Sequence, residues 1–190
     1  MRFPILCLVV ALLMTISAKA TEVAPSTVVL KDGAFEIRDY PALVLAETSK
    51  GAKDDNGSFG RLFQYISGAN DAGQKIPMTA PVFMEGRGTE GKMSFVMPAS
   101  MTLDTTPKAQ GDAVNIRSLQ PGRFAVHRFG GFANAANERA ALSELERWMK
   151  ERSLTADGTP IFAYYDPPWT LPPFRRNEVM VRIKESGPDR

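Results

Sequence analysis

The order of predicted elements in residues 27–100 recurs in residues 112–184. Each half contains a strand, a proline break, a second strand, a loop, a helix, a proline-containing segment and a final strand. A repeat of this kind indicates an internal duplication. Two such halves can pair into one antiparallel sheet or barrel, with the helix of each half packed on it. The repeat therefore predicts an α+β architecture.

The strands directly before the two proline breaks, which we call the first strands of the two halves, share a short motif. The segment "FEIRDY" contains Ile37-Arg38, and "VNIRSL" contains Ile116-Arg117, 79 residues later. A proline follows each segment and breaks the strand. Apolar–polar alternation and turn signals such as "KDG" locate the remaining strands. The predicted strands are 27–30, 35–40, 42–48, 82–85, 93–97, 113–119, 123–129, 160–165 and 178–183.

The spacing of apolar residues predicts two helices. Phe59, Leu62, Phe63 and Ile66 follow the pattern i, i+3, i+4, i+7, which places all four on one face of a first helix. The second helix is longer, about 133–152. Its predicted core face consists of Leu142, Leu145, Trp148 and Met149.

The N-terminus has the pattern of a secretory signal peptide. Arg2 precedes a nearly uninterrupted apolar run over residues 3–16, and Ala18-Lys19-Ala20 forms an A-x-A cleavage site. The run is shorter than the roughly 20 apolar residues that a membrane-spanning helix needs. We predict a signal peptide at residues 1–20, one mature domain over residues 21–190 that begins at Thr21, and a periplasmic or secreted location.

Cysteine and charge content exclude several classes of function. Cys7 is the only cysteine and would leave with the signal, so the mature chain has no disulfide and no Cys nucleophile. Arg2 and Lys19 would leave too, and 23 basic residues less these two equals the 21 acidic residues. A neutral chain argues against nucleic acid as a partner. With one histidine and no G-x-S-x-G motif, no catalytic constellation is visible, and we predict that the protein is not an enzyme.

The segment "KIPMTAPV", Lys75 to Val82, contains no metal-ligating or acid–base side chain. In one interpretation its prolines fix the backbone between the first helix and the next strand, and Met78 packs in the core. In the other, the rigid segment edges a ligand groove and Met78 contacts the ligand, since a thioether suits a flat aromatic ring. We favour the structural role for the prolines and leave both roles open for Met78.

Several motifs in order resemble those of the SOUL/heme-binding protein family. They are "FEIRDYP", "ETS", "KIPMTAPV", "FVMP", the Gly-Gly loop before the long helix, "YDPPW" and "RRNEV", and the resemblance covers about residues 27–184. It implies a duplicated, distorted antiparallel β-barrel with two helices, related to gyrase-inhibitor-like effector-binding domains. It also implies that heme or a related tetrapyrrole binds in an apolar groove formed by the first helix and the loop before the last strand.

A heme site of this kind needs apolar walls for the ring and cations for the two propionates. The candidate walls are Leu62, Tyr65, Met78, Trp169, Leu171 and Phe174. The candidate cations are Arg61, Lys75, Arg175 and Arg176. Leu62 also fits the helix core, and Arg175 and Arg176 also fit solvated charges at a strand edge. Tyr65 and Phe174 lie outside the strongest core pattern, which favours them as ligand contacts.

His127 is the only histidine, so it is the only imidazole that could bind heme iron. It lies outside every motif of the resemblance, and we expect a structural residue; a Met or Tyr ligand stays open. We predict a monomeric protein that binds heme or a related tetrapyrrole. The alternatives are a module of the same fold that binds another amphipathic ligand, or one that binds a protein partner.

Overall fold

The computed structural model describes residues 21–50, 57–86 and 91–184, so the predicted signal peptide at 1–20 lies outside the described residues. The helices are α1 (Gly57–Ile66) and α2 (Ala135–Glu151), and Pro172–Phe174 form one turn of 3-10 helix. No helix within these ranges is both long and apolar enough to cross a membrane. The strands are β1 (Glu22–Val23), β2 (Thr27–Asp32), β3 (Phe35–Tyr40), β4 (Leu43–Ser49), β5 (Thr79–Ala80), β6 (Val82–Glu85), β7 (Lys92–Val96), β8 (Asn115–Leu119), β9 (Gly122–Phe129), β10 (Ile161–Tyr164) and β11 (Asn177–Arg182).

Nine of these strands form one antiparallel sheet in the order β2-β3-β9-β11-β10-β6-β7-β4-β8. The sheet curls into an open half-barrel with β2 and β8 at its edges, and two helices accompany it. The predicted fold class is therefore confirmed. Each predicted strand and the long helix agree with the structure to within two residues, whereas the short parallel pair β1 and β5 was not predicted.

The strand order is symmetric about the contact between β6 and β10. Starting from that contact, the order β6-β7-β4-β8 on one side matches β10-β11-β9-β3 on the other. The first strand of each half therefore pairs with the second strand of the other half, β3 with β9 and β8 with β4. The two helices follow the same symmetry, because α1 packs on β4 and β7, and α2 packs on β9 and β11. This topology is that of an internal two-fold repeat.

Both helices lie on the same face of the sheet. The side chains of α1 pack with Ala46 and Phe95, and those of α2 pack with Ala125 and Val179. Met84 of β6 contacts both of these clusters. A third cluster fills the opposite face with side chains from all the central strands, including Leu45, Phe83, Phe124 and Met180. Burying apolar area on both faces of the sheet is the main stabilising term for a domain of this size.

The arginines of the shared motif occupy equivalent places on the face opposite the helices. Arg38 reaches Glu178 on β11 with distances of 2.8 and 3.0 Å from its guanidinium nitrogens to the two carboxylate oxygens. Arg117 reaches Glu47 on β4 at 2.6 Å and Glu85 on β6 at 2.5 Å. Each arginine therefore ties the first strand of its half to carboxylates on other strands. The motif in the sequence is structural, since charge-assisted pairs of this kind are satisfied within the protein.

Candidate functional site

The two central strands of the sheet lie between the helices and are only partly covered. Helix α1 packs on β4 and β7 and α2 packs on β9 and β11, so β6 and β10 lie between them. On these two strands Val82, Met84 and Tyr164 are partly exposed, and we call this strip between the helices the central groove. On the α2 side, the hydroxyl of Tyr164 donates to the carboxylate of Glu138 at 2.6 Å. Burial and this hydrogen bond raise the pKa of Tyr164 above its ordinary value.

Helix α1 presents two aromatic side chains to solvent. Phe59 and Phe63 are 41% and 51% exposed, and their rings stack at a centroid distance of 6.1 Å. Phe59 also contacts the ring of Phe95, whose strand pairs with β6 so that Phe95 lies opposite Val82. The exposed aromatic pair therefore lies beside the floor of the central groove. Exposed aromatics that are held in place beside a groove are typical of a ligand or partner surface.

The two proline-containing segments leave the sheet at the same end of the central groove. Tyr164, the last residue of β10, lies opposite Val82, the first residue of β6. The "KIPMTAP" segment enters the sheet at Val82, and the loop of residues 165–176 leaves it at Tyr164. Beside this end lies a shallow cleft of about 380 Å³, lined by Phe63, Ile66, Ser67, Lys75, Ile76 and Met78. The fold therefore brings together the segments on which the predicted site depends.

The loop before β11 carries the most exposed large apolar side chains of the described residues. Trp169, Leu171 and Phe174 are 82%, 64% and 75% exposed. The loop backbone is nevertheless ordered by its own hydrogen bonds, such as Phe174 N–H to Leu171 O at 2.9 Å. A further bond joins the loop to the start of the α2 connection, from the N–H of Gly131 to Pro172 O at 3.1 Å. Apolar side chains on such a constrained loop are available for contact with a ligand.

Two of the predicted walls are part of the core. Leu62 and Tyr65 are fully buried against the sheet, and the hydroxyl of Tyr65 donates to Pro107 O at 2.7 Å. Burial and the nearby Asp71 raise the pKa of Tyr65 to about 12. The expectation that Tyr65 lies outside the core is therefore wrong. Met78 is partly exposed and packs at the edge of the α1 cluster. Its position is compatible both with packing in the core and with contact to a ligand.

The spacing predicts one apolar face of α1 that contains Phe59 and Phe63, but this is not the face that the structure buries. The buried side chains of α1 are Ser58, Leu62, Tyr65 and Ile66, so the buried face is rotated away from Phe59 and Phe63. Two positions, Leu62 and Ile66, belong to both faces, and the apolar count alone favoured the one with two phenylalanines. Tyr65 is the residue of the sequence that could have indicated the buried face, because a tyrosine can be buried once its hydroxyl has one polar partner. A helix that buries Tyr65 with Leu62 and Ile66 turns Phe59 and Phe63 toward solvent.

The four predicted cations differ in the hydrogen-bond and ion-pair partners that the protein itself provides for them. Arg61 donates to Thr48 Oγ1 at 2.9 Å and to Ser49 O at 2.6 Å, which ties α1 to the end of β4. Arg175 donates to Thr170 O at 2.7 Å and to Pro168 O, so loop carbonyls hold its charge, and no carboxylate of the described residues pairs with it. Lys75 is exposed, lines the cleft, and makes no ion pair with any described residue.

Arg176 is engaged with a buried carboxylate on the face opposite the helices. Its guanidinium donates to Glu178 at 2.8 and 2.9 Å and lies 3.8 Å from the ring centroid of Tyr165. Burial alone would raise the pKa of Glu178, but the hydrogen bonds and charges of Arg38 and Arg176 outweigh it and hold that pKa below its usual value. The structure thus places Arg176 in a buried ion network, away from the central groove.

His127 is buried beneath α2. Its ring stacks on Phe35 at 4.4 Å, its Nδ1 lies 3.1 Å from the carbonyl oxygen of Ala141, and its Nε2 lies 3.4 Å from a carboxylate oxygen of Glu144. It is 5% exposed, and the central groove is on the other side of the α2 packing surface. Among the residues that the structure describes, no group of three or more His, Cys, Asp or Glu side chains could hold a metal ion.

The fold recurs in solved structures at low sequence identity. The EcmrR C-terminal domain matches with a TM-score of 0.55 and 14% identity over 79% of this chain and 96% of that chain. A hydrolase from Listeria innocua matches with a TM-score of 0.58 and 11% identity over 82% of this chain and 94% of that chain. At these identities the likeness shows the fold alone.

Two curated proteins are similar in sequence. Heme-binding protein 2 from Homo sapiens is 28% identical over 177 residues, which cover 87% of this chain and 85% of the human protein. Heme-binding protein 1 from Bos taurus is 28% identical over 134 residues, which cover 66% of this chain and 68% of the bovine protein. The family model described as SOUL heme-binding protein matches residues 21–182. The chain therefore belongs to the SOUL heme-binding protein family.

Proposed function

We propose that this protein binds heme or a related tetrapyrrole at the end of the central groove where the two proline-containing segments meet. The observation that carries the proposal is the pairing of Val82 with Tyr164, because it brings both segments to one end of the partly covered strands. The exposed aromatic pair of α1 and the exposed apolar side chains of the loop then flank the same end. Family membership supports the choice of ligand.

The residues at this end fit the chemistry of heme. A flat apolar ring needs exposed apolar and aromatic contacts, which Phe63, Met78, Trp169 and Phe174 offer. Its propionates need cations whose charge is not already neutralised by a carboxylate, and Lys75 and Arg175 meet that condition within the described residues. Bound heme would supply its iron and its absorbance, while these side chains would hold the ring and its propionates.

We further propose that the protein is exported and works as a monomeric binding protein without catalysis. The A-x-A site after a short apolar run supports export to the periplasm or beyond. A binding role is supported by the pair beside the groove, Tyr164 and Glu138, whose polar atoms are hydrogen-bonded to each other. The alternatives for the groove are another amphipathic small ligand or a protein partner.

The test is an absorbance titration of the purified protein with hemin. We expect a saturable shift of the Soret band, and a weaker shift for Phe63→Ala because one exposed aromatic wall is lost. A matched control is Leu103→Ala, since Leu103 is 50% exposed but lies on the other side of α1. A flat titration of the wild-type protein, or equal losses for both variants, would exclude heme binding at this end of the groove.

A further inference from the structure

The two-fold symmetry of the sheet is broken at its edges. Strand β3 and its symmetry equivalent β8 are the first strands of the two halves, and each pairs with a strand of the other half. The outer side of β3 is covered by β2, which pairs with it in antiparallel register. Among the described residues, nothing pairs with the outer side of β8, which forms the edge of the sheet. An uncovered edge presents backbone N–H and C=O groups that can pair with another strand.

A large cavity lies along this uncovered edge. It has a volume of about 910 Å³ and is lined by the start of β8 together with residues 71–74 and 103–112. Asn115 and Ile116 of β8 line it, as does Val114, which directly precedes the strand. Because successive residues of a strand point to opposite faces, a cavity lined by both Asn115 and Ile116 reaches the edge of the strand rather than one face of the sheet.

The cavity carries a net negative charge. Among the described residues, Asp71, Asp104 and Asp112 line it and Lys108 is the one basic residue in the lining, so three carboxylates and one ammonium give a net charge of −2. The carboxylates of Asp104 and Asp112 make no hydrogen bond or ion pair with any described residue, and both residues are exposed. The apolar side chains of Leu103, Val114 and Ile116 share the same cavity. The lining therefore suits an occupant that is apolar and basic.

We propose that the outer edge of β8 binds an extended basic peptide of a partner protein by strand addition, so that the peptide occupies the place that β2 occupies on β3. This peptide would pair with β8 in antiparallel register, with main-chain hydrogen bonds providing affinity and the cavity providing selection of side chains. The proposal does not depend on heme, because the edge of β8 and the central groove lie on different sides of α1.

The register of β2 predicts which peptide side chains meet the cavity. Leu30, Lys31 and Asp32 lie opposite Ile37, Glu36 and Phe35 of β3. The 79-residue offset of the repeat carries these β3 positions to Ile116, Asn115 and Val114, the three residues that line the cavity. A peptide that copies the sequence of β2 therefore places its last three residues at the cavity, where the carboxylates favour Lys over the Asp of β2.

The experiment uses a fluorescent synthetic peptide with the sequence Ser-Thr-Val-Val-Leu-Lys-Lys, which is residues 26–31 followed by Lys. Binding to the purified protein is measured by anisotropy, and hydrogen exchange of the protein is measured with and without peptide. We expect saturable binding and slower exchange of amides within Asn115–Leu119. Two further peptides carry N-methyl groups on alternate residues, one set in each; we expect one to lose binding and the other to retain it, since only one set of N–H groups faces β8.

The charge contribution is tested with Asp104→Asn combined with Asp112→Asn. We expect this variant to bind the peptide about three- to tenfold more weakly, and the difference to shrink at high salt because exposed charges are screened. The matched control is Glu146→Gln combined with Glu151→Gln, which removes two exposed carboxylates from α2 and should leave binding unchanged.

Three results would overturn the proposal. The first is the absence of peptide binding to the wild-type protein at a peptide concentration of about 1 mM. Even a weak complex, with a Kd near about 1 mM, would be half formed at that concentration. The second is equal binding of all the peptides, which would show that no main-chain pairing occurs. The third is exchange protection away from β8. A hemin titration of the same Asp variant separates this proposal from the heme site. We expect its hemin affinity to equal that of the wild-type protein.

Discussion

At the scale of single residues, the buried side chains explain why the one histidine is not part of the central groove. His127 stacks on Phe35, which in turn stacks on Trp148 of α2 at 5.2 Å. The indole N–H of Trp148 donates to Asp32 at 2.9 Å, so the row of three rings is anchored at its end. An imidazole in such a row serves packing, since its exposed surface is too small for a ligand to reach.

We expect His127→Ala to leave the Soret spectrum of the hemin complex unchanged and to lower the melting temperature. The reason is that the ring contributes to the packing of α2 and not to the central groove. Hemin absorbance and thermal unfolding of the variant and the wild type give both readings. Loss of the Soret shift in a variant that is still folded would mean that the imidazole binds iron.

We expect Trp148→Ala to destabilise the protein by about 3–5 kcal/mol, because truncating a buried aromatic leaves a cavity. Trp148 is buried on α2 beside Leu145 and Met149, as the helical spacing predicted. Urea unfolding measures the change in the free energy of unfolding. A midpoint equal to that of the wild type would show that α2 contributes little through this face.

At the scale of elements, the loop of residues 165–176 combines an ordered backbone with exposed apolar side chains. Four prolines restrict its backbone, and short-range hydrogen bonds hold the remainder. The conformational entropy of this segment is therefore largely lost before any ligand binds, which favours affinity. The turn between β2 and β3 shows the same local control at Gly33, whose φ of +58° is accessible to glycine without strain.

We expect Trp169→Ala combined with Phe174→Ala to weaken hemin binding without changing the melting temperature. Both side chains are mostly exposed, so the folded state loses little packing, whereas the ligand loses two aromatic contacts. The matched control is Val28→Ala combined with Val29→Ala on β2, which removes two exposed apolar side chains far along the sheet. Hemin affinity that is equal in the two double variants would contradict a role for the loop.

At the scale of the whole molecule, the buried carboxylate Glu178 couples stability to pH. Its pKa in the folded protein lies below the ordinary value of 4.5, although burial opposes this, because Arg38 and Arg176 hold the ionised form. A carboxyl with a lowered pKa stabilises the fold above about pH 4.5, and this contribution is lost as the pH falls through the folded-state pKa. The pKa of Glu47, paired with Arg117 and Lys92, is lowered in the same direction.

We therefore expect the melting temperature to fall steeply below about pH 4.5, and Glu178→Gln to be destabilising at neutral pH. Removing one member of a buried pair leaves the other charge uncompensated, at a cost of about 3–5 kcal/mol. The difference between variant and wild type should narrow in acid, where the wild-type carboxyl is protonated as well. Melting curves of both proteins across about pH 3 to 8, with exposed Glu146→Gln as control, measure this; a constant difference would contradict the expectation.

The exported form should begin at Thr21. The A-x-A site ends at Ala20, and the short apolar run before it matches a cleaved signal. Expression of the full chain in a Gram-negative host, followed by N-terminal sequencing of the periplasmic fraction, measures the start of the mature protein. Protein that reaches the periplasm with Met1 in place would contradict signal cleavage.

Local patterns in the chain were sufficient to predict the strands of the large sheet, the long helix, the repeated order of elements and the family. Alternation, helical spacing and proline breaks are properties of neighbouring residues, so they located the strands and the long helix and implied two related halves. The motifs from "FEIRDYP" to "RRNEV" were enough for the family because several of them occur in order. Two of these motifs, "KIPMTAPV" and "YDPPW", lie in the proline-containing segments that the sheet brings together at Val82 and Tyr164.

Long-range packing, in contrast, selects which side chains of those segments are available to a ligand. The spacing on α1 is compatible with two overlapping apolar faces, and packing against Phe95 and Met97 selects the one that buries Tyr65 and exposes Phe63. Arg176 pairs with a carboxylate that only the folded sheet buries, together with a second arginine from a distant strand. Such choices depend on contacts between residues distant in the chain, which local patterns do not contain.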